Sequence, residues 1–183
     1  MTRHRHCTVP ARAWTTLRAM LAACAPLALA ACMATPERGA MSEFVVVRHA
    51  EKASDGSRDP ALNAQGAARA QALAQRLRHA PVVGAYATPY QRTRQTAQPT
   101  AHAHGLQVST YNADLPPAEL VAQLRRAHPQ GTVMVVGHSN TAPQIAAQLC
   151  GCTVAPLADD AYGDLYRITL HPQQPAALSH ERF

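Results

Sequence analysis

Four side chains in this sequence are of the types that transfer phosphoryl groups, and they fall in three short segments: Arg48-His49, Arg92 and His138. An arginine carries a fixed fork of donors that matches phosphate oxygens, and its charge is not lost at working pH. A histidine can attack as a nucleophile or carry a proton near neutrality. Two of each suggest phosphoryl transfer, with the guanidinium groups neutralising the equatorial oxygens while a ring nitrogen attacks in line. By this logic neither metal nor cofactor is expected, and the chain lacks a carboxylate cluster of the kind that holds Mg²⁺.

The elements that must position these groups can be read from hydrophobic pattern. Phe44 to Val47 reads as a buried strand running into Arg48-His49-Ala50-Glu51-Lys52. Ala64 to Arg78 reads as a helix, with Ala68, Ala72, Leu73 and Leu77 at helical spacing and Asn63 as its N-cap. Val82 to Ala87 is a second strand, running into Thr88-Pro89-Tyr90-Gln91-Arg92, and Tyr90 to about His102 a helix. Leu106 to Tyr111 is a third strand. Pro117 to His128 is a helix with proline near its start.

Thr132 to Val136, continuously apolar, reads as a central parallel strand that runs into Gly137-His138-Ser139-Asn140. Ala142 to Leu149 is a helix ending at Gly151. Asp164 to Leu170 is a late strand near an edge, and residues 171–183 are loop with one short strand around Leu178. Strand–helix alternation argues for a three-layer α/β/α sandwich with a mostly parallel sheet. In such sheets ligands bind beyond the carboxyl ends of the strands, and three of those ends deliver both arginines and both histidines to one rim.

These segments resemble the histidine phosphatase superfamily, the phosphoglycerate-mutase-like fold, over nearly all of residues 43–170. Arg48-His49-Ala50-Glu51-Lys52 is similar to its Arg-His-Gly signature, with Ala in place of Gly. Residues 59–66, Asp-Pro-Ala-Leu-Asn-Ala-Gln-Gly, resemble its loop into the first helix. Thr88 to Ala97 resembles its second arginine motif, with Arg92 in the phosphate-binding place. Gly137-His138-Ser139 matches its second histidine.

The resemblance implies that His49 carries the phosphoryl group while Arg48, Arg92 and His138 line the pocket, and that water then releases phosphate. Attack requires a neutral nitrogen, so a backbone carbonyl is expected to hold the other ring N–H of His49. Many members of the superfamily carry an acid after the third strand; Asp114 lies nearest that place, with Glu119 and Glu51 as further candidates. Lys52, Ser139 and Asn140 are candidate substrate contacts, Asn140 either through its backbone N–H at a helix start or only as a cap. A small phosphorylated substrate is implied, a sugar phosphate of the cell envelope among the classes suggested. His102 and His104, two apart on a helix, point to different faces and make a poor metal pair.

The first forty residues read differently. Arg3, Arg5, Arg12 and Arg18 are the only charges before Glu37, and an alanine-rich run follows from Ala19 to Ala31. A basic stretch, a short apolar core and small residues form the pattern of an export signal, and the run is shorter than the roughly 20 residues a membrane span needs. Leu29-Ala30-Ala31-Cys32 resembles a bacterial lipobox. Residues 1–31 are therefore expected to be a signal peptide, Cys32 the lipidated first residue, 32–42 a tether and 43–183 one domain. The expected location is the periplasmic side of a bacterial membrane, held by lipid, with a soluble periplasmic form as the alternative.

The whole chain carries a net +6, but residues 32–183 keep 13 basic against 11 acidic residues, which does not support a nucleic-acid partner. Of the cysteines in the folded part, Cys150-Gly151-Cys152 permits a disulfide in an oxidising compartment. One intervening residue is tight for the required geometry, so these are expected to be structural or incidental thiols.

Overall fold

The computed structural model describes residues 41–183; the expected signal peptide, Cys32 and nearly all of the tether lie outside the described residues. Ten elements follow in chain order: β1 (Ser42–Arg48), α1 (Ala64–Leu77), β2 (Val82–Ala87), α2 (Gln91–Ala103), β3 (Val108–Thr110), α3 (Pro117–Ala127), β4 (Gly131–Gly137), α4 (Thr141–Cys150), β5 (Asp164–His171) and β6 (Gln174–Arg182). The strands form one sheet in the order β3-β2-β4-β1-β5-β6. The first four are parallel to one another, and β5 and β6 are antiparallel to their neighbours.

Alternation along the central strands builds the two cores. Phe44 and Val46 of β1 and Val133 and Val135 of β4 face α3 and α4, joined by Leu120, Leu124, Ile145 and Leu149. Val45, Val47, Met134 and Val136 face α1 and α2, joined by Leu73, Leu77, Ala97 and Ala101. Both faces of β1 and β4 are thus covered, which explains their unbroken apolar runs. Each fully buried Val, Leu, Ile, Phe or Met side chain among these contributes roughly 1.5–3 kcal/mol relative to exposure.

The register of the central strands sets up the rim. Arg48 pairs with Gly137, and Val136 pairs with both Val47 and Ala87. One more bond, from the His49 N–H to the Gly137 carbonyl at 2.9 Å, carries the β1–β4 ladder past the strand end. His49, His138 and Thr88 therefore emerge side by side.

Several expectations are corrected. β5 lies near the edge as expected, between β1 and β6, but β6 is a nine-residue strand where a short one was expected. β6 is polar and contains Pro175, a composition that only an edge strand tolerates and that hides its strand character. In α1 the buried stripe is Gly66, Ala70, Leu73, Ala74 and Leu77, while Ala68 and Ala72 are exposed. A helix this rich in alanine leaves its phase ambiguous, and contact with the sheet decides it. Cys150 and Cys152 are joined in a disulfide, not free thiols. Gly151 ends α4 in the left-handed region (φ 63°), and the chain reversal leaves the two cysteine Cα atoms 5.2 Å apart, within disulfide range.

Candidate active site

His49 is buried at the end of β1, and its Nδ1 lies 2.8 Å from the Ala50 carbonyl. A carbonyl only accepts, so Nδ1 carries the proton and Nε2 presents its lone pair, as a nucleophile must. Burial is the main cause that lowers the His49 pKa from 6.5 to about 4; the Ala50 carbonyl opposes this, and His138, Arg92 and Arg48 add to it. The ring of His138 lies edge-on to that of His49, centroids 5.5 Å apart, and its pKa falls to about 4 through burial and then the two arginines. Both imidazoles are therefore neutral at pH 7.

The second histidine is steered from β2. Thr88 Oγ1 lies 3.0 Å from His138 Nε2 and 2.9 Å from Thr93 Oγ1, on the first turn of α2. Thr96, one turn further on, accepts from the Ala50 N–H at 2.9 Å and donates to the Arg92 carbonyl at 2.7 Å. It joins the backbone beside His49 directly to that of Arg92. All three threonines fall inside the Thr88–Ala97 motif, but the motif does not reveal these contacts.

The arginines are held by their outer nitrogens. Arg48 Nη1 donates to the carbonyls of Ala158 and Ala161 at 3.1 and 2.9 Å. Arg92 Nη1 lies 3.6 Å from Asp59 Oδ1, and its guanidinium carbon is 4.5 Å from the centre of the Tyr90 ring. Asp59 also accepts from the Gln91 N–H at 2.9 Å, so it caps α2 from the preceding loop. In both arginines Nε is buried with no partner. Buried donors are almost always satisfied, so these two are exceptions.

The other expected site residues divide. Glu51 is no free acid: Arg69 grips it with two nitrogens, the shortest contact 2.6 Å, which holds its carboxyl below the usual carboxylate range. Asp114 is exposed on the loop after β3, where its N–H bonds Asn112. Its carboxylate makes no bond to the four central side chains. Glu119 is exposed on the first turn of α3. Lys52 is exposed and pairs through its backbone with Leu62. Ser139 and Asn140 lie at the entry to α4, and Asn140 makes no side-chain cap bond. Instead Thr141 Oγ1 accepts from the His138 N–H at 2.9 Å. Among the described residues, no group of three or more His, Cys, Asp or Glu gathers as a metal site.

Tyr162 was not foreseen. It precedes β5, and because β5 runs antiparallel, the start of that strand lies at the rim where the parallel strands end. A rule that looks only beyond carboxyl ends misses it.

The fold agrees with the comparisons to known proteins. Residues 44–113 match the model of the histidine phosphatase superfamily (branch 1). No curated protein matches the chain. Among solved structures, the fold is shared with a protein assigned as the phosphohistidine phosphatase SixA of Nakamurella multipartitia (24% identity, TM-score 0.62, covering 80% of this chain and 98% of that one). It is shared too with a mycobacterial glucosyl-3-phosphoglycerate phosphatase (16% identity, TM-score 0.62, 76% and 97%). A third is the phosphoserine phosphatase of Entamoeba histolytica in complex with 3-phosphoglyceric acid (14% identity, TM-score 0.58, 78% and 98%). The fold is that of the histidine phosphatases.

Proposed function

We propose that this chain is a metal-independent phosphatase that hydrolyses a phosphomonoester or a phosphoramidate through a phosphohistidine on His49. The observation that carries this reading is the gathering of Arg48, Arg92 and His138 around a histidine whose free nitrogen is held as a lone pair. The N–P bond forms as the P–O or P–N bond of the substrate breaks, and the leaving group takes a proton from an acid or from water. Water then attacks the phosphohistidine, and phosphate leaves the restored imidazole. His138 lines the phosphoryl pocket beside Thr88, and Ser139 and Asn140 are its neighbours at the start of α4.

The acid defines the substrate range. Glu51 is committed to Arg69, which leaves Asp114 and Glu119, and Asp114, on the loop directly after β3, is the proposed donor for an alkoxide. A phosphoramidate, whose nitrogen is readily protonated, needs that donor less. The relatives act by name on phosphohistidine, a glucosyl phosphoglycerate and phosphoserine; a small phosphorylated substrate, such as an envelope sugar phosphate, is the corresponding class here. The export pattern before Cys32 places this activity on the periplasmic side of a bacterial membrane, through a lipid anchor, and the Cys150–Cys152 disulfide supports an oxidising compartment.

The test is phosphate release by the purified full chain and its His49→Ala variant, each with EDTA, against phosphomonoesters and a phosphohistidine peptide. Turnover that survives EDTA and disappears in the variant is expected. A folded chain that binds phosphate yet turns over nothing on the panel would instead be a lipid-anchored anion-binding protein.

A further inference from the structure

Tyr162 touches both halves of the Arg48-His49 pair, and no role in the reaction above uses it. Its phenolic oxygen accepts from Arg48 Nη2 at 3.3 Å, and the guanidinium carbon sits 4.1 Å from the centre of its ring. That ring lies 6.2 Å from the ring of His49, centre to centre. A phenol that accepts still has its own proton to give.

The segment carrying Tyr162 is fixed from several sides. Ala161 N–H bonds the Ala158 carbonyl at 3.0 Å to close a turn, and the carbonyls of these same two alanines receive Arg48 Nη1. Arg182 Nη2 donates to the Tyr162 carbonyl at 3.1 Å. Gly163 then turns the chain into β5 at φ +85°, where a Cβ would meet Arg69 Nη1 at 2.5 Å and the Phe183 carbonyl oxygen at 2.7 Å. Tyr162 is thus placed by backbone that cannot easily shift. Nη1 is bound to the turn and one N–H of Nη2 to the phenol, which fixes the Arg48 guanidinium against the Tyr162 ring.

We propose that Tyr162 is a substrate-contacting residue whose O–H donates to an oxygen of the phosphoryl group held at Arg48 and His49. This rests on the reading of the site as a phosphoryl pocket. The competing role is that of a prop, in which the phenol does no more than accept from Arg48 and hold the guanidinium still. The two roles respond oppositely to fluorination, because a fluorinated phenol is a stronger donor and a weaker acceptor.

The experiment is calorimetric binding of inorganic phosphate to the full chain in detergent, with Tyr162→Phe and with 3-fluorotyrosine incorporated at position 162, near pH 6.5. Melting curves establish that each variant is folded. Removal of the hydroxyl is expected to weaken phosphate binding about tenfold or more, as for a hydrogen bond to a charged group. The fluorinated chain is expected to bind at least as tightly as the natural one. Unchanged affinity in Tyr162→Phe, or weaker binding in the fluorinated chain, overturns the assignment. If the natural chain turns over substrate while Tyr162→Phe binds phosphate normally, this inference alone falls. If the natural chain neither binds phosphate nor turns over substrate, the phosphoryl-pocket reading falls with it.

Discussion

The state of His49 follows from two local facts, burial and a carbonyl 2.8 Å from Nδ1. Burial disfavours the charged ring and the carbonyl fixes the tautomer, so the neutral form that the proposed nucleophile needs is built in before substrate arrives. The same burial has a consequence for stability. In the unfolded chain both site histidines titrate near 6.5, and in the folded chain near 4. Between those values the unfolded state binds more protons, so stability falls as pH drops from about 6.5 to about 4 and is unaffected by these groups above that window. The melting temperature should decline over this range, and less steeply in His49→Gln. An equal decline in the variant would assign the loss to other groups. The acid makes a second prediction at this scale. Asp114→Asn should reduce kcat on an alkyl phosphomonoester by about 10²-fold or more, with little effect on a phosphohistidine peptide. Equal rates on both substrates would remove Asp114 from the reaction.

Elements place these side chains, and sequence pattern reveals elements better than it reveals what ties them together. The apolar runs of β1 and β4 and the Asn63 cap of α1 were legible, because each is a local pattern with a local cause. The partners of the site were not. Thr88, Thr93 and Thr96 act through contacts to residues 46 or 50 positions away or across a turn, and the local motif that contains them marks Arg92 rather than these contacts. Tyr162 depends on the reversal of β5, which alternation of strands and helices does not disclose. Gly66 shows how closely the elements meet: a Cβ there would stand 2.1 Å from the Glu51 carbonyl oxygen, where the first turn of α1 closes on the strand end that carries His49. Gly66→Ala should destabilise the fold by roughly 1–3 kcal/mol, the range for overpacking a well-filled site, and lower activity with it. Unfolding in denaturant measures the first effect, and a wild-type midpoint would show that the helix can move aside.

For the whole molecule, one domain carries a rim of charge-matched donors, and the segment before it carries a proposed address. The address is testable apart from the chemistry. Cys32→Ala should move the protein from the membrane fraction to a soluble or unprocessed form, and globomycin should have the same effect on the natural chain; membrane association that survives both would argue against the lipid anchor. The central claim is the phosphohistidine. Its most direct measurement is rapid quenching of the full chain during turnover under alkaline conditions, which preserve a phosphoramidate, followed by mass-spectrometric mapping of the phosphoryl group. The account predicts phosphate on the peptide containing His49, absent in His49→Ala and released by acid. Turnover with no phosphorylated enzyme, or with the phosphoryl group on any other residue, would contradict it.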